Sequence, residues 1–281
     1  MTTLQKHIIE TLGVKAKVNP EEEFRTRVDF LKAFTKNAGT RGFVLGISGG
    51  LDSATAGYIA QTAVRELRDE TGKDYEFLAL LLPYGTQRDG EEAVMIAKHF
   101  IKADQVIEYN IKDTVDAFAN TFNAIADADP ANGDNLADYH KGNVKARVRM
   151  TVQYAYAGQR QLLVVGTDNS DENTAGFFTK GGDGMADILP LSNLTKRQER
   201  QIMKHLGAPE FVLTKAPTAD LLDATPGQAD ETELGITYDA LDDYLEGKPT
   251  PEATRNKIEL RYLITEHKRQ QPVSLVDGWW K

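Results

Sequence analysis

The sequence predicts an α/β fold, a three-layer sandwich with a central parallel sheet flanked by helices. Three observations predict it. Short apolar runs at residues 42–47, 77–82, 105–109 and 162–165 read as buried strands. Helical patterns separate these runs, the alternation expected of a parallel sheet. Two of the runs break into glycine-containing exits, Ser48-Gly49-Gly50-Leu51-Asp52-Ser53 and Gly166-Thr167-Asp168. In open parallel sheets ligands bind beyond the carboxyl ends of the strands.

In chain order, residues 1–19 carry a short amphipathic helix with Leu4, Ile8, Ile9 and Leu12, ending near Gly13. Asn19-Pro20-Glu21-Glu22-Glu23 opens a second helix: a capping residue, a proline in the first turn, then acids on the positive dipole end. Phe24, Val28, Leu31 and Phe34 carry it to about Asn37. The first strand, its glycine turn and a helix from Ala54 follow. Pro83 stops the second strand; residues 91–101 read as a helix, and Asp113 as the cap of another with Val115, Phe118, Phe122 and Ile125 on one side. The Asp-, Asn-, Gly- and Ala-rich segment 127–142 reads as a loop. A helix over 143–159 precedes the fourth strand. Residues 177–194 are glycine-rich and irregular. Thr195-Lys196-Arg197-Gln198 is a capping box opening a helix through Leu206. Residues 214–235 read as a long ordered loop, and 238–245 and 252–267 as helices. A single domain over 1–281 is expected, with N-terminal helices at 1–40, a core at 41–200 and a C-terminal completion of the site at 201–281.

Composition narrows the function. The 281 residues contain no Cys, which excludes a disulfide scaffold, a thiolate zinc site and a cysteine nucleophile. A net charge of −9 argues against a general nucleic-acid or membrane binder. No run approaches the ~20 apolar residues of a membrane span. No secretory leader is visible at residues 1–10, so the cytoplasm is the expected location.

The first exit carries the chemistry. Strand, glycine turn and helix start present backbone N–H groups to an anion. Gly49 and Gly50 let the main chain approach phosphate oxygens, and Ser48 and Ser53 add hydroxyl donors at both ends. Asp52 would repel a phosphate unless a cation lies between them, so it implies magnesium. The turn lacks the Gly-Lys-Ser/Thr of a Walker loop and the ribose-binding acid of a dinucleotide fingerprint. It resembles instead the pyrophosphate loop of the N-type ATP pyrophosphatases.

Further blocks extend the resemblance. They include residues 82–87 (Leu-Pro-Tyr-Gly-Thr-Gln), 143–147 (Asn-Val-Lys-Ala-Arg), 165–168, 176–180 (Gly-Phe-Phe-Thr-Lys), 182–184, 194–198, 216–221, 242–247 and 265–269 (Thr-Glu-His-Lys-Arg). Together they resemble the ammonia-dependent NAD synthetase family over about residues 20–281. The resemblance implies a Rossmann-like ATP pyrophosphatase fold and a homodimer with substrate at the subunit contact. It implies that ATP adenylates the nicotinate carboxylate of deamido-NAD, releasing pyrophosphate, and that ammonia then displaces AMP to give NAD. For ATP it points to Gly46, Ile47, Ser48, Gly49, Gly50, Leu51, Asp52, Ser53, Thr167, Lys196 and Thr218, with Arg88 as a further contact. For magnesium it points to Asp52 and Glu172, and for deamido-NAD to Arg147, Lys180, Asp187, His267 and Lys268. Asp183 falls near the arrival point of ammonia, to bind ammonium or take its proton; with Asp52 and Lys196 it completes the catalytic set.

Each assignment has a plainer counterpart. Glu172 alone would be a solvated loop acid, and Thr167 a turn cap. Lys196 would be an exposed lysine near the start of a capped helix, although its charge opposes the helix dipole there. Arg88 would be a surface arginine, His267 an ordinary histidine late in a helix, and Arg147, with Lys145 and Arg149, part of a solvated basic face. Two departures bear on pocket shape: Asn169-Ser170-Asp171 stands where the family often has His-Ala-Ala, and Gly181-Gly182-Asp183-Gly184-Met185 where it often has Tyr-Gly-Asp-Gly-Gly. The alternatives are another ligase with this loop, such as a GMP synthetase, or an ATP-binding regulator without catalysis.

Overall fold

A computed structural model describes residues 1–87, 89–129, 133–218 and 221–280. Four parallel strands, β1 (Gly42–Gly46), β2 (Glu76–Leu81), β3 (Gln105–Glu108) and β4 (Leu163–Val164), form a sheet in the order β3-β2-β1-β4. All four predicted strands are present. The register sets Val44 against Leu78 and Val164, so β1 lies in the middle of the sheet. The chain leaves β1 toward β2 and later returns to its other side as β4, which opens a crevice between the exits of β1 and β4.

The helices are α1 (Thr3–Leu12), α2 (Pro20–Ala38), α3 (Leu51–Thr71), α4 (Gly90–Met95), α5 (Lys112–Ala128), α6 (Asp138–Arg160) and α7 (Ser170–Ala175). They continue as α8 (Lys196–His205), α9 (Glu210–Thr214), α10 (Asp230–Leu234), α11 (Tyr238–Leu245), α12 (Glu252–Ile264) and α13 (Glu266–Arg269). One layer packs α2, α3 and α8 on the sheet through Leu31, Ile59, Phe43, Phe77 and Ile202, all fully buried. The other face is covered by α5 and α6 through Val115, Val152 and Ala157 against Val44, Leu78 and Val164. A third cluster joins α1 to α11 and α12 through Ile8, Leu241, Tyr244 and Ile258. The two N-terminal helices thus part: α2 belongs to the sheet, α1 to the C-terminal helices.

Four expectations are corrected. Asp113 is not a cap: α5 starts at Lys112, whose N–H donates to Asn110 Oδ1 at 3.0 Å. Of the four residues expected on one side of α5, only Val115 turns inward, whereas Phe118, Phe122 and Ile125 are exposed. The helix expected at 91–101 ends in one π-helical turn, Ile96–Phe100. The expected loop 127–142 is shorter, because α5 runs to Ala128 and α6 begins at Asp138. Alanine-rich helix ends bearing acids share the composition of a loop.

Candidate active site

The site is built where three backbone turns meet. At the first, Gly46 N–H donates to Gln153 Oε1 at 2.9 Å and Ile47 N–H to Leu80 O at 2.8 Å, which fixes the chain as it leaves β1. Gly49 then takes φ +81°, and a Cβ there would stand 3.0 Å from the Ala93 nitrogen, so glycine is required. Gly50 caps the 21-residue α3 with no side-chain hydrogen bond, leaving the first amides of a long helix for an anion. Ser53 differs from expectation: its Oγ accepts from Ser48 N–H at 3.2 Å and donates to Gly50 O at 3.3 Å. Its hydroxyl is spent inside the loop.

At the second turn the chain leaves β4 and enters α7. Asn169 caps this helix, accepting from Asp171 N–H at 3.0 Å and Glu172 N–H at 3.1 Å, while Glu172 completes a capping box. The Asn169 amide also donates to Asp52 Oδ1 at 3.2 Å. One side chain therefore ties the α7 cap to the first carboxylate.

The third turn is the start of α8, where Thr195 and Gln198 form the predicted capping box. Lys196 is not the exposed lysine of the plainer reading; it is 1 % exposed. Its N–H donates to Asp171 Oδ2 at 2.7 Å. Its Nζ donates to both Asp52 oxygens at 2.9 Å and to Glu172 Oε1 at 3.0 Å, above the Tyr238 ring at 4.7 Å. The two predicted metal carboxylates thus converge on one ammonium.

Negative charge is in excess here. Burial pushes the Glu172 carboxyl up to about 7; Lys196 pulls it down and Asp52 adds to the rise. Asp168 and Glu199 are also held well above the carboxylate range, by burial first and by neighbouring acids second. Burial opposes the Lys196 charge, but Asp52 and Glu172 outweigh it and raise its pKa. One lysine does not balance this many acids, and the surplus favours a further cation. Among the described residues no three His, Cys, Asp or Glu side chains are grouped to hold a metal. A pair of carboxylates fits magnesium, which draws its remaining ligands from phosphate and water.

These groups line a cavity of about 290 Å³ whose walls include Gly46, Ile47, Ser48, Gly50, Leu51 and Asp52. Thr167, Glu172, Lys196 and Thr218 complete the set of predicted ATP and metal residues on it. Gly49 and Ser53 lie behind the wall, and Arg88 falls outside the described residues. A second cavity of about 120 Å³ shares Phe177, Asp183, Leu221 and Asp230 with the first. Asp183 opens onto both cavities and accepts from Thr179 N–H at 3.0 Å. Residues 215–218 and Leu221 form part of the wall of the larger cavity. Lys215 ties this wall to Asp89 at 2.6 Å and Glu92 at 2.8 Å, and Lys145 donates to Leu221 O at 2.8 Å and Asp223 Oδ1 at 2.5 Å. Lys145 is therefore buried, not a member of a solvated basic face.

The five residues predicted for the dinucleotide are less concentrated. Lys268 lines the second cavity, its Nζ donating to Gly176 O and Phe178 O at 2.8 Å each. Arg147 donates to Lys180 O at 3.2 Å and Lys180 to His267 O at 2.6 Å, a surface row that lines neither cavity. Asp187 stands apart, accepting from Val164 N–H at 2.8 Å and Tyr154 OH at 3.3 Å. Sequence reasoning missed Gln153, Asn169, Tyr238, Asp168 and Glu199. Only Asn169 had a readable signal, the Asn-x-x-Glu of a capping box.

Comparison with known proteins agrees with this architecture. The NAD synthase family model matches residues 23–272. An NH(3)-dependent NAD(+) synthetase of Bacillus cereus (strain 03BB102) is 55% identical over 279 residues, 99% of this chain and 100% of the relative. A solved NAD+ synthetase from Burkholderia pseudomallei has a TM-score of 0.79 and 41% identity, covering 95% of this chain and 96% of its own. An NMN synthetase from Francisella tularensis has a TM-score of 0.78 and 34% identity, covering 93% of this chain and 100% of its own. The matched family, the relatives aligned end to end and the parallel sheet with its two acidic exits agree: the chain belongs to the NAD synthase family.

Proposed function

We propose that this chain amidates the pyridine carboxylate of deamido-NAD with ammonia, at the expense of ATP, in the last step of NAD formation. The observation that carries the reading is the convergence of Asp52, Glu172 and Lys196 beside a glycine loop, in a cavity joined to a second through Asp183. ATP occupies the larger cavity. The amides at the start of α3 receive its phosphates, with Gly46, Ile47, Ser48, Gly50, Leu51, Thr167 and Thr218 on the walls. The carboxylate of deamido-NAD attacks the α-phosphorus, the bond to pyrophosphate breaks, and an acyl-adenylate forms. Negative charge grows on the leaving phosphates, and Lys196 is placed to meet it. Magnesium, held by Asp52 and Glu172, supplies the same neutralisation when bound.

Ammonia then attacks the activated carbonyl carbon, and the carbon–oxygen bond to AMP breaks. Asp183, at the shared wall, receives the nitrogen or its proton. Lys268, Lys180 and Arg147 offer cations to the diphosphate of the dinucleotide, with His267 and Asp187 as further contacts. The exposed Phe118, Phe122 and Ile125 on α5 support a homodimer that completes this substrate site. We further propose a single catalytic unit over residues 1–281, working in the cytoplasm, where ATP and ammonium are available. Among the described residues no helix is long and apolar enough to cross a membrane.

The test is an assay with ATP, magnesium, ammonium and one acceptor at a time. The reading expects equal pyrophosphate and NAD with deamido-NAD. Amidation of nicotinate mononucleotide or xanthosine monophosphate in its place would reassign the substrate. ATP binding without turnover on any acceptor would make the chain a regulator.

A further inference from the structure

Asp168 follows Thr167 at the exit of β4 and is given no contact with a substrate or metal above. It is 6 % exposed and lines the larger cavity. The polar neighbours that follow it are all engaged: Asn169 caps α7 and holds Asp52, Ser170 donates to Ser192 O, and Asp171 accepts from Lys196 N–H. Asp168 alone accepts no hydrogen bond from any described residue. Its carboxylate faces the cavity, where a bound ligand can supply the donors that the protein does not.

Asp183 lines the same cavity, and its charge opposes that of Asp168. Lys268, a nearby cation, spends its Nζ on Gly176 O and Phe178 O. Two carboxylates therefore border the larger cavity, and no described ammonium or guanidinium makes an ion pair with either. The species that satisfies both is small, carries a positive charge and donates several N–H bonds.

We propose that Asp168 is a second binding residue of the ammonium pocket, opposite Asp183. This rests on the reading that Asp183 receives the nitrogen. It makes the charged ammonium ion, not neutral ammonia, the species that the resting enzyme captures.

The test is steady-state kinetics of the full chain with ATP, deamido-NAD and magnesium saturating and ammonium varied at constant ionic strength. Asp168→Asn should raise the KM for ammonium at least about tenfold, the loss of one charge-assisted contact. Its KM values for ATP and deamido-NAD should move by less than its ammonium KM, which sets a role in the ammonium step apart from a general effect on the cavity. An unchanged ammonium KM overturns the proposal, as does a lost pyrophosphate burst with a raised magnesium requirement, which would make Asp168 a metal residue. Asp183→Asn run in parallel separates two failures. If neither variant moves the ammonium KM, the Asp183 reading falls; if only Asp183→Asn moves it, the Asp168 inference alone falls. Should Asp168→Asn not fold, rubidium, a cation of ammonium's size, decides with wild type. Inhibition competitive with ammonium supports a cation pocket, and its absence overturns it.

Discussion

Lys196 sits at the first position of α8, where the helix dipole disfavours a cation. It is tolerated because Asp52 and Glu172 come to it from two other elements within 3.0 Å. Removing it leaves two acids facing each other with no counter-charge. Lys196→Ala should therefore lower the thermal midpoint, by about 1–3 kcal/mol of stability. It should also slow pyrophosphate release by about 100-fold or more. A divalent cation can take up the freed charge, so magnesium should raise the midpoint of Lys196→Ala more than that of wild type. Thermal melts with and without magnesium check this, and equal shifts in both proteins would contradict it.

At the scale of elements, the long helices and the strands could be read from sequence because each carries its own punctuation. Asn19-Pro20 starts α2, Gly39 ends it, and Pro83 follows β2. The six-residue α7 was missed because Asn169-Ser170-Asp171 drew attention only as a departure from the family pattern. Its capping box shows why those residues form a helix, and the same Asn169 then reaches Asp52. The burial of Lys196 and the isolation of Asp168 had no local signal, since both depend on elements far apart in the chain. The docking of α2 on α3 has a charged component that titration can read. Arg25 grips Glu66 with both nitrogens at 2.7 and 2.9 Å, and Lys32 joins at 2.8 Å. The Arg25 hydrogen bonds, helped by Lys32, lower Glu66 from 4.5 to about 2. A depressed acid contributes stability that is present above the unfolded pKa and lost as pH falls through the folded one. Glu66→Gln should cost about 1 kcal/mol at neutral pH, since the network is partly exposed. Its deficit should shrink between pH 4.5 and 2. Urea melts across that range check it; a deficit independent of pH would contradict it.

Across the whole molecule, the order β3-β2-β1-β4 brings remote segments to one place. Asp52 from the β1 exit, Glu172 from the β4 exit and Lys196 from the start of α8 meet because β1 and β4 are neighbours and α8 packs with α3. Phe177, Asp183, Leu221 and Asp230 then join this cavity to the one bordered by Lys268. The proposed activation and amidation would occupy adjoining spaces of one crevice. The central claim is that the two carboxylates at neighbouring sheet exits serve adenylation. It is tested most directly by mixing enzyme with ATP, magnesium and deamido-NAD without ammonium and following pyrophosphate in a single turnover. The account predicts a burst in wild type, slowed at least about 100-fold in Asp52→Asn and in Glu172→Gln with the fold retained. A burst of wild-type rate in either variant would contradict it.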